Sequence, residues 1–211
     1  MYCPAHFQED SPAALIGLIE AHPLGTVICH TATGLVADHI PLLFKPEANT
    51  AGKLLGHVAA NNPLWQIAPD QELLVVFQGA STYISPNWYA TKAEAGKVVP
   101  TWNYAVVHAY CSLKATRDPS KVLALISELT DYHESKQPHP WRVSDAPSEF
   151  TERLLKNIVG MELTINRLQG KWKVSQNQPT TNQLSVIAGL QGQGTECQSQ
   201  MAELVKAYGS S

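Results

Sequence analysis

The chain has 211 residues, 44% of them apolar, and its 18 Asp and Glu outweigh 15 Lys and Arg to leave a formal charge of −3. That much apolar material can bury a self-sufficient core, while the scattered basic residues supply no global field for nucleic acid and no apolar run approaches the about 18 residues that cross a bilayer. Cys3, Cys29, Cys111 and Cys197 lie far apart with no C-x-x-C pair, and the N-terminus lacks a signal-peptide pattern, so reduced thiols in a cytoplasmic protein without membrane insertion are expected.

In chain order, Ser11 and Pro12 cap and open a helix that sets Leu15, Leu18 and Ile19 on one face. His22-Pro23-Leu24-Gly25 stops it. Residues 26–29, a turn at Thr33-Gly34 and residues 35–44 read as a hairpin, whose Pro41 suits an edge strand or a bulge. A third strand over Lys53–Ala59 leads into Asn61-Asn62-Pro63, a pattern that suits a short helix beginning with Leu64-Trp65-Gln66-Ile67. Residues 72–79 form a strongly apolar fourth strand and residues 102–113 a long fifth, with an aromatic loop between them.

Val122, Leu125, Ile126 and Leu129 give residues 119–134 the spacing of an amphipathic helix. A shorter helix is expected over 148–156, a sixth strand over 158–168, and two helical segments over 180–208 broken near Gly192 and Gly194. Six strands with peripheral helices predict a mainly β, α+β fold: a closed antiparallel barrel with helices packed outside it.

The eight histidines form no H-x-H or H-E-x-x-H pair and the cysteines add no ligand cluster, so no metal site is expected. A nucleophile elbow, a P-loop and a G-x-G-x-x-G turn are all missing, which removes the usual support for a hydrolase or a nucleoside triphosphatase. The glycines from Gly189 to Gly194 close a helix and do not open one after a strand, so they read as a helix stop. No residue stands out as a general acid or base, and catalytic residues are left unassigned.

His39 and His57 sit in predicted strands beside small or polar residues, where each either satisfies a neighbouring backbone group or meets a ligand. The segment from Gly56 to Pro63 either caps a helix at Asn61 or Asn62 or turns backbone N–H groups toward an anion such as a phosphate monoester. The segments Tyr83-Ile84-Ser85-Pro86-Asn87-Trp88-Tyr89, with Lys92, and Val99-Pro100-Thr101-Trp102-Asn103-Tyr104 concentrate flat rings and hydrogen-bonding groups. They form either an aromatic cluster under a long loop or a platform for a planar heterocycle.

Taken in order, Met1-Tyr2-Cys3-Pro4-Ala5-His6-Phe7, Ala37-Asp38-His39-Ile40-Pro41-Leu42, Gly56-His57-Val58-Ala59-Ala60-Asn61-Asn62-Pro63-Leu64-Trp65, the two aromatic segments and Lys173-Val174-Ser175-Gln176-Asn177 resemble the PaiB-type FMN-binding negative transcriptional regulators. The resemblance implies a single FMN-binding split β-barrel domain over residues 1–211 with a C-terminal helical extension, related to pyridoxamine-phosphate oxidases and forming a homodimer with FMN at the subunit interface. It implies a phosphate site at His57, Asn61 and Asn62, where a strand runs into a short helix. The isoalloxazine is placed near Tyr83, Ser85, Trp88 and Tyr89 and near Thr101, Trp102, Asn103 and Tyr104, with Lys173, Ser175, Gln176 and Asn177 reaching across; His39 and Lys92 are counted with these cofactor-binding residues. Related oxidases place arginine and lysine at the phosphate, and this chain has no such basic pair near Asn61.

The implied function is that of a negative regulator or flavin-dependent sensor, whose partner is DNA or a regulatory protein. No helix-turn-helix with basic flanks is visible to carry direct DNA binding. The competing expectations are a flavin-dependent oxidoreductase that uses a nicotinamide nucleotide, and a haem-binding split barrel with His39, His57 or His108 on iron.

Overall fold

The structure is a computed structural model that describes residues 1–31, 34–68 and 70–209. Thr33, expected at the hairpin turn, and the last two serines of the expected domain lie outside the described residues. Eight strands and six α-helices are present among the described residues: β1 (Gln8–Glu9), α1 (Pro12–Ala21), β2 (Leu24–Thr31), β3 (Gly34–Pro41), β4 (Leu43–Lys45), β5 (Lys53–Ala59), β6 (Leu73–Ile84), α2 (Lys92–Ala95), β7 (Thr101–Thr116), α3 (Pro119–Glu134), α4 (Ser148–Leu155), β8 (Ile158–Lys173), α5 (Thr180–Gln191) and α6 (Glu196–Tyr208). The strands form one antiparallel sheet in the order β3-β2-β6-β7-β8-β5-β4, with β1 paired to β8. This is the α+β, split-barrel class expected from the sequence, with β1 and β4 as two short strands beyond the six expected.

The chain divides into two compact units, one of Pro23–Phe77 and His108–Leu168, the other of Met1–His22, Gln78–Val107 and Gln169–Ser211.

In the first of these, β2 and β3 pair along eight residues from Leu24↔Pro41 to Thr31↔Gly34, and β5 pairs with β8 from Lys53↔Thr164 to Ala59↔Ile158. Pro41 closes β3, the outermost strand of the sheet order, where a missing N–H breaks no ladder. The chain then leaves the strand at Leu42, whose N–H donates to the Pro23 carbonyl at 2.8 Å, so the expected long second strand becomes two. Asp118 caps α3 by accepting from the N–H groups of Ser120 and Lys121, and Pro119 occupies the first turn. The helix then lays Leu125 and Leu129 on Leu43 and Leu55, each such buried leucine stabilising the fold by about 1.5–3 kcal/mol. Gly56 is required by this packing: a Cβ there would stand 2.7 Å from Leu42 Cδ2 and 3.1 Å from the Pro41 carbonyl.

In the second unit, Ser11 caps α1 by accepting from the Ala14 N–H, and Leu15, Leu18 and Ile19 are buried, as the helical spacing predicts. Helices α5 and α6 pack on each other, separated by a turn in which Gly194 takes a left-handed φ of 73°. The two-residue β1 pairs with the far end of β8 at Gln8↔Lys171 and Glu9↔Gly170. Beside it, the Tyr208 hydroxyl at the end of α6 donates to the Glu9 carboxylate, whose other oxygen accepts from the Ser11 N–H at 2.7 Å.

Candidate functional site

The residues expected at a cofactor fall in both units. In the second unit the site grows from the end of β6, the start of β7 and the end of β8. The strand β6 runs on through Gly79 to Ile84, so Tyr83 is a strand residue and the loop begins only at Ser85. Tyr83 is 46% exposed and Trp102, at the start of β7, is 52% exposed. Their rings meet edge to face with centroids 6.3 Å apart, and the Trp102 indole N–H is anchored on Ser81 Oγ at 2.7 Å. Two large rings thus stand in solvent but are held in a fixed geometry, which suits an incoming planar heterocycle.

Behind them, Asn103 is only 1% exposed, and its Nδ2 donates to Ser175 Oγ at 2.8 Å. Its Oδ1 is buried with no hydrogen-bond partner. Such an orphaned acceptor costs roughly 1–3 kcal/mol. Ser175 adopts a left-handed φ of 67°, uncommon for a residue with a Cβ, two residues after the strand ends. Two amide side chains fix that bend: Gln176 accepts from Val174 N–H at 2.8 Å and donates to the Trp172 carbonyl at 2.6 Å, while Gln183 donates to the Ser175 carbonyl.

Lys173, the last residue of β8, is half-buried, and its ammonium donates to Thr101 Oγ1 and to the Trp102 carbonyl at 2.8 Å. Desolvation, with the neighbouring positive charge of Lys171 adding to it, holds its pKa below the ordinary lysine value. Lys171 itself is 9% exposed; it donates to the Tyr2 carbonyl at 3.1 Å and stands 5.2 Å above the half-buried Tyr104 ring. Sequence reasoning missed Lys171. Its signal was the Lys-Trp-Lys alternation of residues 171–173, which puts the two lysines on one face of a strand and Trp172 on the other.

The structure therefore brings Tyr83, Thr101, Trp102, Asn103, Tyr104, Lys173 and Ser175 together. The rest of the aromatic segment makes capping and packing contacts of its own. Ser85 caps the 3-10 turn Pro86–Trp88 by accepting from Asn87 N–H. The half-buried Trp88 fills the space beside Gly189 of α5, and Tyr89 is buried, with desolvation raising its hydroxyl pKa. Lys92 donates to Asn87 Oδ1 at 2.6 Å on the surface, Gln176 is occupied by the bend, and Asn177 is exposed.

The remaining four residues lie in the first unit. His39 is exposed on β3 opposite Thr26, and His57 lies on β5 opposite Gly160. His57 is an exposed residue, yet the surrounding protein desolvates it enough to hold its pKa below the usual imidazole value. The helix expected after Asn62 is one 3-10 turn, Pro63–Gln66. Asn62 Oδ1 caps it by accepting from Leu64 N–H at 2.8 Å, and Pro63 has no N–H to offer an anion. Asn61 is exposed in the turn before it. Capping thus occupies Asn62, and a single turn carries little of the dipole a full helix would present.

Residues 1–167 match the family described as "Putative FMN-binding domain". The chain belongs to this family. An uncharacterized protein of Emericella nidulans is 35% identical over 99% of this chain and 98% of its own length. The protease synthase and sporulation protein PAI 2 of Bacillus subtilis is 29% identical over 98% of this chain and 97% of its own length, in keeping with the PaiB resemblance. Among solved structures, the FAD and heme binding protein from Mycobacterium smegmatis superposes with a TM-score of 0.58 at 17% identity, covering 86% of this chain and 80% of that one. The flavocytochrome Anf3 from Azotobacter vinelandii gives 0.52 at 14% identity, over 79% and 69%. At such identities these two likenesses show the fold.

The residues present fit the family's cofactor, FMN. Exposed rings at Tyr83 and Trp102 can face an isoalloxazine, Asn103 and Ser175 can meet its polar rim, and the lysines supply positive charge. Lys173 and Ser175 lie beyond the span that the family profile matches, so this end of β8 is supplied by the chain's own C-terminal portion.

Proposed function

We propose that the protein is a flavin-dependent sensor that holds FMN and passes its occupancy or redox state to a regulatory partner. The observation that carries the flavin half is the fixed, exposed Tyr83–Trp102 pair beside Lys173 and the Asn103–Ser175 bond, in a chain of the FMN-binding family. Bound FMN would supply one- and two-electron chemistry at its ring. The protein's part is to orient that ring against Trp102, to meet its polar edge with Asn103 and Ser175, and to supply positive charge to the nucleotide at Lys173.

The regulatory half draws its support from the Bacillus relative, which is named for protease synthesis and sporulation. A homodimer, a cytoplasmic setting and a partner that is DNA or a regulatory protein are parts of the same proposal. Among the described residues no helix is long and apolar enough to cross a membrane.

The test is a fluorescence titration of FMN into wild type and Trp102→Ala. Saturable binding that weakens about five- to thirty-fold in the variant supports the site, since one aromatic stacking contact contributes roughly 1–2 kcal/mol. Unchanged affinity in Trp102→Ala would remove the ring from this platform. Rapid bleaching of the bound flavin by NADH or NADPH with turnover of an acceptor would replace the sensor by the oxidoreductase. A Soret band on adding haem, with no response to FMN, would favour the haem reading.

A further inference from the structure

We propose that Lys171 and Lys173, two apart on the last turn of β8's pleat, form the subsite for the phosphate monoester of the bound flavin nucleotide, an inference that rests on the flavin reading above. The two side chains leave one face of the strand, and each is drawn toward β7, Lys173 onto Thr101 Oγ1 and the Trp102 carbonyl and Lys171 over the Tyr104 ring. One is buried and the other half-buried. Buried ammonium groups normally stand against carboxylates. Among the described residues neither lysine has a carboxylate oxygen within 4.0 Å, since the ion pairs found involve only Lys45 and Lys53.

The acid placed closest by strand register is Glu9, opposite Gly170, and it is committed to Ser11 N–H and the Tyr208 hydroxyl. Lys171 meets instead a single carbonyl and the faces of Tyr2 and Tyr104, at 5.8 and 5.2 Å. Aromatic faces attract a cation but do not neutralise it. Two like charges therefore lie side by side at the strand end, and the mutual repulsion contributes to the depressed pKa of Lys173. What completes such a pair is a ligand carrying close to two negative charges with several acceptor oxygens. A phosphate monoester, at roughly −1.5 to −2 near neutral pH, matches both.

The alternative location in the first unit is less well equipped. Residues 56–68 contain no lysine or arginine of their own, the Arg117 guanidinium that reaches them stands over the Trp65 ring at 5.7 Å, His57 is held toward its neutral form, and the Leu64 N–H is already taken by Asn62. Two lysines on one strand face stand instead at the end of β8.

The experiment compares FMN with riboflavin, which has the same ring and lacks the phosphate, by fluorescence titration of wild type, Lys171→Met, Lys173→Met and the double Lys→Arg variant. Wild type is expected to bind FMN at least about ten-fold more tightly than riboflavin, with the FMN affinity alone falling as salt rises. Each Met variant is expected to lose about ten- to hundred-fold in FMN affinity, the range of one charge-assisted hydrogen bond, while its riboflavin affinity stays within about three-fold. The Arg variant keeps most of the preference for FMN. An equal loss for both flavins would assign the lysines to the ring and overturn the proposal, as would a preference for FMN that survives both Met substitutions.

Met is an apolar replacement for a buried, unpaired ammonium, so folding is expected to persist; if Lys171→Met does not fold, the half-buried Lys173→Met carries the comparison. Failure of wild type to bind either flavin would refute the flavin reading. The anion subsite is then judged separately, by whether inorganic pyrophosphate raises the melting temperature of wild type and not of Lys173→Met; no rise in wild type overturns it.

Discussion

Gly189→Ala and Gly17→Ala are the same substitution in the interiors of two helices, and the structure gives them opposite signs. Replacing glycine by alanine inside a helix normally stabilises by about 0.5–1 kcal/mol, because the unfolded chain loses freedom. At Gly17 of α1 nothing lies within 4 Å of the new Cβ, so that gain should appear undiminished. At Gly189 of α5 the Cβ would stand 2.5 Å from Trp88 Cγ, 2.6 Å from Cδ2 and 2.8 Å from Cδ1. These atoms belong to the root of a rigid indole, which cannot swing aside as a flexible chain end would.

Overpacking of this kind costs about 1–3 kcal/mol, which offsets or outweighs the helical gain and leaves a net loss of up to about 2.5 kcal/mol. For a chain of this size the melting temperature should fall by about 2–4 °C per kcal/mol. Urea unfolding of both variants, with an unchanged m-value, measures the pair directly. In a Trp88→Leu background the cost of Gly189→Ala should shrink, a coupling expected only between residues in contact. If Gly189→Ala stabilises as Gly17→Ala does, α5 does not rest on Trp88 and the packing assigned to the aromatic loop is wrong.

Cys111 is buried in β7, and desolvation, with the charge of Glu72 adding to it, pushes its thiol up to about 12. A folded pKa above the unfolded one means that the unfolded state loses its proton first as pH rises. Stability present below about pH 9 should therefore be lost toward about pH 12, at up to about 1.4 kcal/mol per pH unit, and Cys111→Ala should flatten that slope in urea melts across the range. Asp118→Ala removes the cap of α3 and should cost about 1 kcal/mol with no effect on flavin affinity, read by denaturation and titration side by side. Tyr208→Phe leaves one oxygen of the buried Glu9 carboxylate without its donor; a loss of about 1–3 kcal/mol is expected, with faster amide exchange concentrated in α6.

Much of the fold was legible because its determinants are local. The Ser11-Pro12 start of α1, the 119–134 periodicity of α3 and the extent of β5 all follow from capping and spacing within a few residues. The errors lie where a distant residue decides. Gly79 reads as the end of a strand, yet β6 continues through it because Leu18 of α1 occupies the place of its side chain: a Cβ there would lie 3.0 Å from Leu18 Cδ1. Gly170 similarly hides the continuation of β8, since Leu15 Cδ2 would stand 2.2 Å from its Cβ and β1 supplies the pairing partner from the opposite end of the chain. In sequence the strand pattern stops at residue 168, whereas β8 runs on to Lys173 and sets Lys171 and Lys173 on one face. The short helix after Asn62 was expected from capping chemistry that is indeed present, but the turn stops after four residues.

Of the site, residue types were informative and partners were not. Trp102, Asn103, Lys173 and Ser175 stand out in the sequence as candidates by their chemistry, whereas the Asn103–Ser175 and Lys173–Trp102 bonds that group them each span more than 70 residues of sequence. Trp88 and Tyr89 have the same composition as a ligand platform, and in the structure Trp88 lies against Gly189 of α5 and Tyr89 is buried.

The central claim is that this chain holds FMN. Equilibrium dialysis of the folded protein against FMN, with bound flavin counted per chain and Trp fluorescence followed in parallel, tests it most directly. Saturation at one flavin per chain in the micromolar range, with quenching that is reduced in Trp102→Ala, is the expected result; a folded protein that retains no flavin at hundreds of micromolar would contradict the account.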